Sequence, residues 1–376
     1  MHNRQASTFN HSGKFESPNY VRTSLAGAMM LGFIQGRFYR DAKSYCLNLL
    51  LTYNDGCIGK CAYCGLSRSR SINEPWFKKS FIRVDWPIVN LEDVIERIRT
   101  ATCDLERVCI SMITNGRAKS DTLTIVKRIR SVFDQISVLI TPTIVDKAWL
   151  EEVKDLGADM IGVAIDAATK NLFDKLRGKN VGAPHRWEQY WSILKSAIDI
   201  FGKFNVGIHL IVGLGETERE MVMTIQRAYD MGALTHLFSF FPEEGSPMEH
   251  HPQPPIGSYR RIQLARYLIN NSLTRVDKML FDYKGRIVNL GLDDKEVERF
   301  INSGEPFMTS GCRSKNRENA CNRPYSNSTP YQALIGEIRN YPFKPEPKDI
   351  EIIRLQLFDY SDIPVKKWID TPYLIE

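Results

Sequence analysis

KAWLEEVKDLGADMIGVAID (147–166) contains the unit from which the rest of the fold is read. Its first half has helical periodicity and stops at Gly157, as a helix with a C-terminal glycine does. Its second half, MIGVAID (160–166), is a short apolar run of strand character. Further candidate strands follow the same pattern: CLNLLLTY (46–53), VCISMIT (108–114), ISVLITP (136–142), NVGIHLIVG (205–213) and HLFSFFP (236–242), with helical segments such as LEDVIERIRT (91–100) between them. Strand, helix, strand at this spacing predicts a parallel sheet with right-handed crossovers. Six such units predict an α/β fold, a partial (βα)6 barrel of the TIM type.

Alternation along each strand sorts the side chains. Val108, Ile110 and Met112 are predicted to pack under the helices, leaving Cys109, Ser111 and Ile113 in the lumen. Ile161, Val163 and Ile165 point outward against Gly162, Ala164 and Asp166 inward, and Asn205, Gly207, His209 and Ile211 form the inward set of the 205–213 strand. The lumen is therefore polar or small, which suits a ligand. Beyond the barrel come a Pro-rich stretch, HHPQPP (250–255), a helix from Tyr259 to Asn270, and the aperiodic GCRSKNRENACNRPYSNSTP (311–330). The expected divisions are an N-terminal extension (1–45), the barrel (46–250), a helical connecting region (251–310) and a cysteine-containing segment (311–376) that folds over the barrel mouth.

Composition narrows the class. Hydrophobic residues at 43% and charged residues at 25% are ordinary globular values, and no apolar run approaches a membrane span. The polar N-terminus, MHNRQASTFNHSGKF, has no leader pattern, so a cytoplasmic protein is expected. The net charge of +6 is scattered rather than gathered into a stripe, which disfavours nucleic acid and fits either an acidic partner or plain solubility. Eight cysteines in a reducing compartment call for a metal or catalytic explanation where they cluster.

They cluster in CIGKCAYC (57–64), just past the first strand, at the end where barrel enzymes build their sites. Three thiolates on one loop can hold three irons of a cubane and leave the fourth open. A zinc knuckle would need a fourth ligand close by, and none follows. The spacing of Cys57, Cys61 and Cys64, with Tyr63 before the last, resembles the signature of the radical S-adenosylmethionine (radical SAM) family over about residues 46–250.

That resemblance implies a 4Fe-4S cluster on the triplet, S-adenosyl-L-methionine chelated at the open iron, and reductive release of a 5′-deoxyadenosyl radical, with electrons from a donor such as ferredoxin or flavodoxin. It also implies roles for other positions. Asp166 matches the ribose-binding position, Gly213 and Gly215 in IVGLGET (211–217) match a motif beside the adenine, and Pro242 and Met248 in FFPEEGSPM (240–248) belong to a segment whose backbone holds the adenine edge. Arg177 and Arg186 are candidates for the methionine carboxylate, although each serves equally well as a solvated surface residue. The glycine-rich acidic run common after the second strand is replaced by Ser111-Met112-Ile113-Thr114.

Among the remaining cysteines, Cys46 and Cys103 read as buried small apolar residues at the N-terminal face. Cys109 is inward and is similar to a biotin synthase cysteine that binds an auxiliary cluster, whereas Gly207 stands where that enzyme has another. Cys312 and Cys321 are expected to join Cys109 in a second, auxiliary 4Fe-4S cluster, with Ser326 or Ser328 as a weak further ligand; a zinc site or two free thiols are the alternatives. The tail around Cys321-Asn322-Arg323-Pro324, with IRNYPFKP (338–345), resembles the first subunit of the two-protein lipoyl synthases. That family implies sulfur insertion into an octanoyl chain on a lipoyl carrier domain, and a second radical SAM subunit as partner. The rival readings are a small-molecule radical SAM enzyme of the methylornithine synthase, hydrogenase maturase or biotin synthase type, and an iron–sulfur electron carrier or scaffold.

Overall fold

The computed structural model describes residues 15–70, 85–101 and 103–361; the N-terminal stretch 1–14 and the segment beyond 361 lie outside them. Among the described residues the main sheet has eight strands: β1 (Tyr20–Thr23), β2 (Cys46–Leu51), β3 (Ile88–Asn90), β4 (Arg107–Ser111), β5 (Ile136–Ile140), β6 (Met160–Asp166), β7 (Val206–Val212) and β8 (Leu234–Ser239). The six candidate strands are β2, β4, β5, β6, β7 and β8, and each runs parallel to the next in that order. This is a mostly parallel α/β sheet consistent with a partial TIM-type barrel.

The helices that cross between strands are α1 (Leu25–Met30), α2 (Leu91–Thr100), α3 (Ala118–Arg130), α4 (Lys147–Asp155), α5 (Lys170–Leu176), α6 (Trp187–Phe201) and α7 (Glu218–Met231). Helix α4 starts where the Asp146 carboxylate accepts from Trp149 N–H at 2.9 Å, and the chain leaves it through Gly157 at φ +111°, a conformation side-chain-bearing residues avoid. The predicted outward residues of the strands are the core: Val108, Ile110, Ile161, Val163, Ile165, Val206, Ile208, Leu210 and Val212 are no more than 1% exposed. Each such side chain contributes about 1.5–3 kcal/mol of burial.

Two short strands escaped the sequence reading. β1 pairs antiparallel with β2, and β3 pairs antiparallel with β1, extending the sheet on the β2 side. At three and four residues, neither is long enough to show alternation.

After β8 come α8 (Ile256–Asn270), the two-stranded β9 (Leu280–Phe281) and β10 (Ile287–Asn289), then α9 (Asp294–Ser303), α10 (Pro330–Leu334) and α11 (Pro347–Leu357). Leu264 and Leu268 of α8 pack with Ile301, Phe307, Ile338, Ile353 and Leu357 in a second apolar cluster. No helix among the described residues is long and apolar enough to cross a membrane.

The tail does not lie where expected. Its run from Arg313 to Asn322 crosses the N-terminal ends of the strands, opposite the mouth. Arg107, the first residue of β4, donates from Nε to the Arg313 carbonyl at 2.5 Å, and Lys315 pairs with Asp134 ahead of β5. Arg313 reaches Asn205 ahead of β7, while the Asn322 side chain holds both Tyr45 N–H and the Lys43 carbonyl ahead of β2. Acidic and carbonyl groups at the strand starts draw this basic segment to the barrel floor. On either side of this run, Ser310 Oγ accepts from Leu237 N–H and Arg339 donates to Ser239 Oγ, which occupies the free edge of β8.

Candidate active site

The lumen is a cavity of about 260 Å³, and cysteines line it at both ends. Cys57, Cys61 and Cys64 lie on the loop after β2 at the mouth; Cys109, Cys312 and Cys321 lie toward the floor.

The mouth loop is held by its backbone. Ile58 N–H donates to the Thr114 carbonyl, Ala62 N–H to that of Leu176, and Met248 N–H to that of Ala62. Two N–H groups point at sulfur instead, Gly59 to Cys57 Sγ at 3.3 Å and Leu66 to Cys64 Sγ at 3.4 Å. Gly59 sits close to this site: a Cβ there would stand 3.2 Å from both Cys57 Sγ and His185 Nε2, so either side chain would have to shift by a few tenths of an ångström. Burial pushes the Cys61 thiol up to about 12 and the Cys64 thiol well up, so both are thiols until a metal displaces the proton. His185, which the sequence did not single out, lines the mouth with Nδ1 held by Thr143 Oγ1 and Tyr190 OH.

Asp166 ends β6 in the left-handed region at φ +64°, where the β6–β7 register is irregular. Tyr63 OH donates to Asp166 Oδ2 at 2.6 Å and Arg177 Nη1 pairs with the same oxygen. Oδ1 is left to accept from a ligand's hydroxyls. Arg177 also donates to the Ala164 carbonyl and Tyr190 OH and packs on the Tyr190 and Phe173 rings. Most of its guanidinium is thus held by the protein, while Nε is buried without a hydrogen-bond partner and the residue remains on the cavity wall. Arg186 caps the Ala183 and His185 carbonyls and is not on the cavity wall. The unengaged cation is Arg323, which lines the cavity and makes no hydrogen bond or ion pair among the described residues. Its signal in the sequence was only its place two residues after Cys321.

Gly213, Gly215, Pro242 and Met248 are not on the cavity wall either. The Glu216 carboxylate folds back to accept from Gly213 and Leu214 N–H at 2.6 and 3.0 Å, and a Cβ on Gly213 would meet Pro254 Cδ at 2.6 Å. This shapes the turn into α7.

At the floor, Cys321 N–H and Ala320 N–H both donate to the Cys312 carbonyl, so residues 313–320 bulge outward while the two cysteines stay together. Ser137, next to Cys109 in the β4–β5 ladder, lines the same region. Cys46 is corrected here. It is buried, but Asn48 Nδ2 lies 3.6 Å from Cys46 Sγ and 3.6 Å from Cys321 Sγ, so it belongs to the floor group and not to the apolar core. The Cys321 thiol is lowered well below the usual range, first because Cys109 donates to it. Burial pushes Cys312 up to about 12. Ser326 is on the wall with a buried, unpartnered hydroxyl, whereas Ser328 Oγ accepts from Arg339 N–H and is off the wall. Cys103 is half-buried and apart from both groups.

The mouth donors fit a 4Fe-4S cluster that carries S-adenosylmethionine: three thiols, N–H groups aimed at sulfur, and one open carboxylate oxygen within the same cavity. Residues 51–228 match the radical SAM superfamily model. These residues resemble a radical SAM domain. Its family uses a 4Fe-4S cluster with S-adenosylmethionine.

Among solved structures, the chain is similar to HydG, a maturase of the [FeFe]-hydrogenase, with a TM-score of 0.47 and 12% identity over 66% of this chain and 53% of that one. It therefore spans about half the length of that maturase. It is also similar to methylornithine synthase, PylB (TM-score 0.45, 13% identity, 73% of this chain and 84% of that one). A third likeness is to the radical SAM methyltransferase TsrM from Kitasatospora setae (TM-score 0.36, 16% identity, 55% and 38%). No curated protein matches the sequence.

Proposed function

We propose that the protein is a radical SAM sulfurtransferase, a lipoyl synthase subunit that makes one of the two sulfur insertions into an octanoyl-lysine of a lipoyl carrier domain. The observation that carries the reading is the single lumen with thiol groups at both ends and an apolar wall between. Leu50, Ile113, Leu139, Ile211 and Phe238 are part of that wall, and they suit an uncharged alkyl chain.

When bound, the two groups would supply a deoxyadenosyl radical at the mouth and a sulfide at the floor. The chain's own residues do the rest. Cys57, Cys61 and Cys64 hold the first group, and Asp166, fixed by Tyr63 and Arg177, orients the nucleoside. Cys109, Cys312 and Cys321 hold the second, with Ser326 as the nearby unpartnered hydroxyl. A closed floor excludes water from a carbon radical formed between them. A second radical SAM subunit and an electron donor such as ferredoxin or flavodoxin complete the expected partners.

Arg323 favours a second reading. An unpaired guanidinium on the wall suits an anionic small molecule, as a radical enzyme acting on an amino acid would require. Mass spectrometry of an octanoylated carrier peptide separates the two. Wild type should add sulfur; Cys312→Ala and Cys321→Ala should add none while still releasing 5′-deoxyadenosine. A sulfur adduct from either variant contradicts the floor donor, and no adduct from wild type, with or without a partner subunit, favours the small-molecule reading.

A further inference from the structure

His236 is a buried polar group for which the protein provides no partner. It sits on β8 directly beside His209 of β7, with ring centroids 5.8 Å apart, and is 3% exposed. Neither of its ring nitrogens has a hydrogen-bond partner. A neutral imidazole has one donor and one acceptor to satisfy, and an interior site that leaves both unmade is destabilising unless something else binds the ring.

The direction of the ring indicates what that is. Gly207 faces the lumen on the adjacent strand, and a Cβ there would lie 2.6 Å from His236 Nε2 and 2.9 Å from Cδ2. The imidazole thus reaches across the bare glycine and puts Nε2 into the space that a lumen-facing side chain of β7 would fill. Leu237 N–H, next to His236, donates to Ser310 Oγ two residues before Cys312, and His209 lines the same cavity as Cys109, Cys312 and Cys321, which sets the ring pair beside the floor thiols.

We propose that His236 is an iron ligand of the floor cluster, binding through Nε2 beside Cys109, Cys312 and Cys321. This rests on the reading that the floor holds an iron–sulfur cluster. Among the described residues, no three His, Cys, Asp or Glu side chains close on the coordination sphere of one ion, and Cys57, Cys61 and Cys64 do not either. Ligands of a multi-iron cluster are spread over several metals. A neutral imidazole in place of a fourth thiolate leaves the cluster less negative and raises its potential.

The test uses the full chain carrying Cys57→Ala, Cys61→Ala and Cys64→Ala, reconstituted anaerobically with iron and sulfide, labelled with 15N-histidine and reduced. Pulsed electron paramagnetic resonance should show a strongly coupled 15N nucleus, and adding His236→Gln should abolish it. Iron without 15N coupling overturns the ligand assignment alone, and a Cys46→Ser change that then alters the spectrum gives the position to Cys46. Coupling that survives His236→Gln overturns it in favour of His209. If the triple variant binds no iron, both this assignment and the floor cluster fail. If His236→Gln does not fold, His209→Gln in the labelled parent decides the matter: coupling that persists supports His236, and coupling that is lost gives the position to His209.

Discussion

Cys321 N–H donates to the Cys312 carbonyl at 2.9 Å, which closes residues 313–320 into an outward loop and sets two cysteines nine residues apart side by side at the barrel floor. The long spacing between them is therefore no obstacle to a shared site. It also ties the tail to the strand starts, because the loop that bulges out is the one that meets Arg107, Glu106 and Asp134.

Arg107 is the main anchor of that arrangement. Its side chain is 1% exposed, pairs with Asp159 at 2.6 Å and donates to the Arg313 carbonyl. Arg107→Met removes both contacts and leaves Asp159 able to take up water, so the loss of stability should be about 1–3 kcal/mol. In metal-free protein, iodoacetamide should then label Cys312 and Cys321 several-fold faster, with Cys57 unchanged. Equal labelling rates would mean that the tail is held by other contacts.

Asp166→Asn and Asp166→Ala should differ. Asparagine tolerates the left-handed backbone at this position and alanine does not, while both remove the charge opposite buried Arg177. Isothermal titration of the cluster-loaded protein should show S-adenosylmethionine binding weakened by about 1–3 kcal/mol in both, and thermal unfolding should show the larger loss for alanine. Unchanged affinity would place the ribose away from Asp166.

His185 sets an acid limit on stability. Its folded value is lowered to about 3, chiefly by burial and then by Arg177 and Arg186. In the unfolded chain it titrates near 6.5, so on acidification the unfolded state takes the proton first. The penalty is absent above about pH 6.5 and grows as pH falls toward 3, by up to about 1.4 kcal/mol per pH unit. Urea unfolding of metal-free His185→Gln between pH 7.5 and 5 should show a shallower loss than wild type. Parallel curves would exclude His185 as a source of the acid sensitivity.

The parallel barrel was legible because each strand is a short apolar run closed by helix-ending residues such as Gly157. Cys57, Cys61, Cys64 and Cys109 were found by spacing and by alternation, both local. What escaped depends on the path of the tail: no periodicity in 311–330 says which end of the barrel it reaches. Cys46 was misread for the same reason, since its neighbour Cys321 arrives from the far end of the chain. Arg177 resembled a free cation in sequence, and only the fold shows its Nη1 and Nη2 held by Asp166, Tyr190 and the Ala164 carbonyl.

The central claim is that one lumen holds a metal cluster at each end, on separate sets of cysteines. Iron and sulfide analysis after anaerobic reconstitution tests it most directly, comparing wild type with Cys57→Ala/Cys61→Ala/Cys64→Ala and with Cys109→Ala/Cys312→Ala/Cys321→Ala. Wild type should hold about eight irons and each triple variant about four, with 5′-deoxyadenosine formed only where Cys57, Cys61 and Cys64 remain. About four irons in wild type, falling to none in the first variant and unchanged in the second, would contradict it.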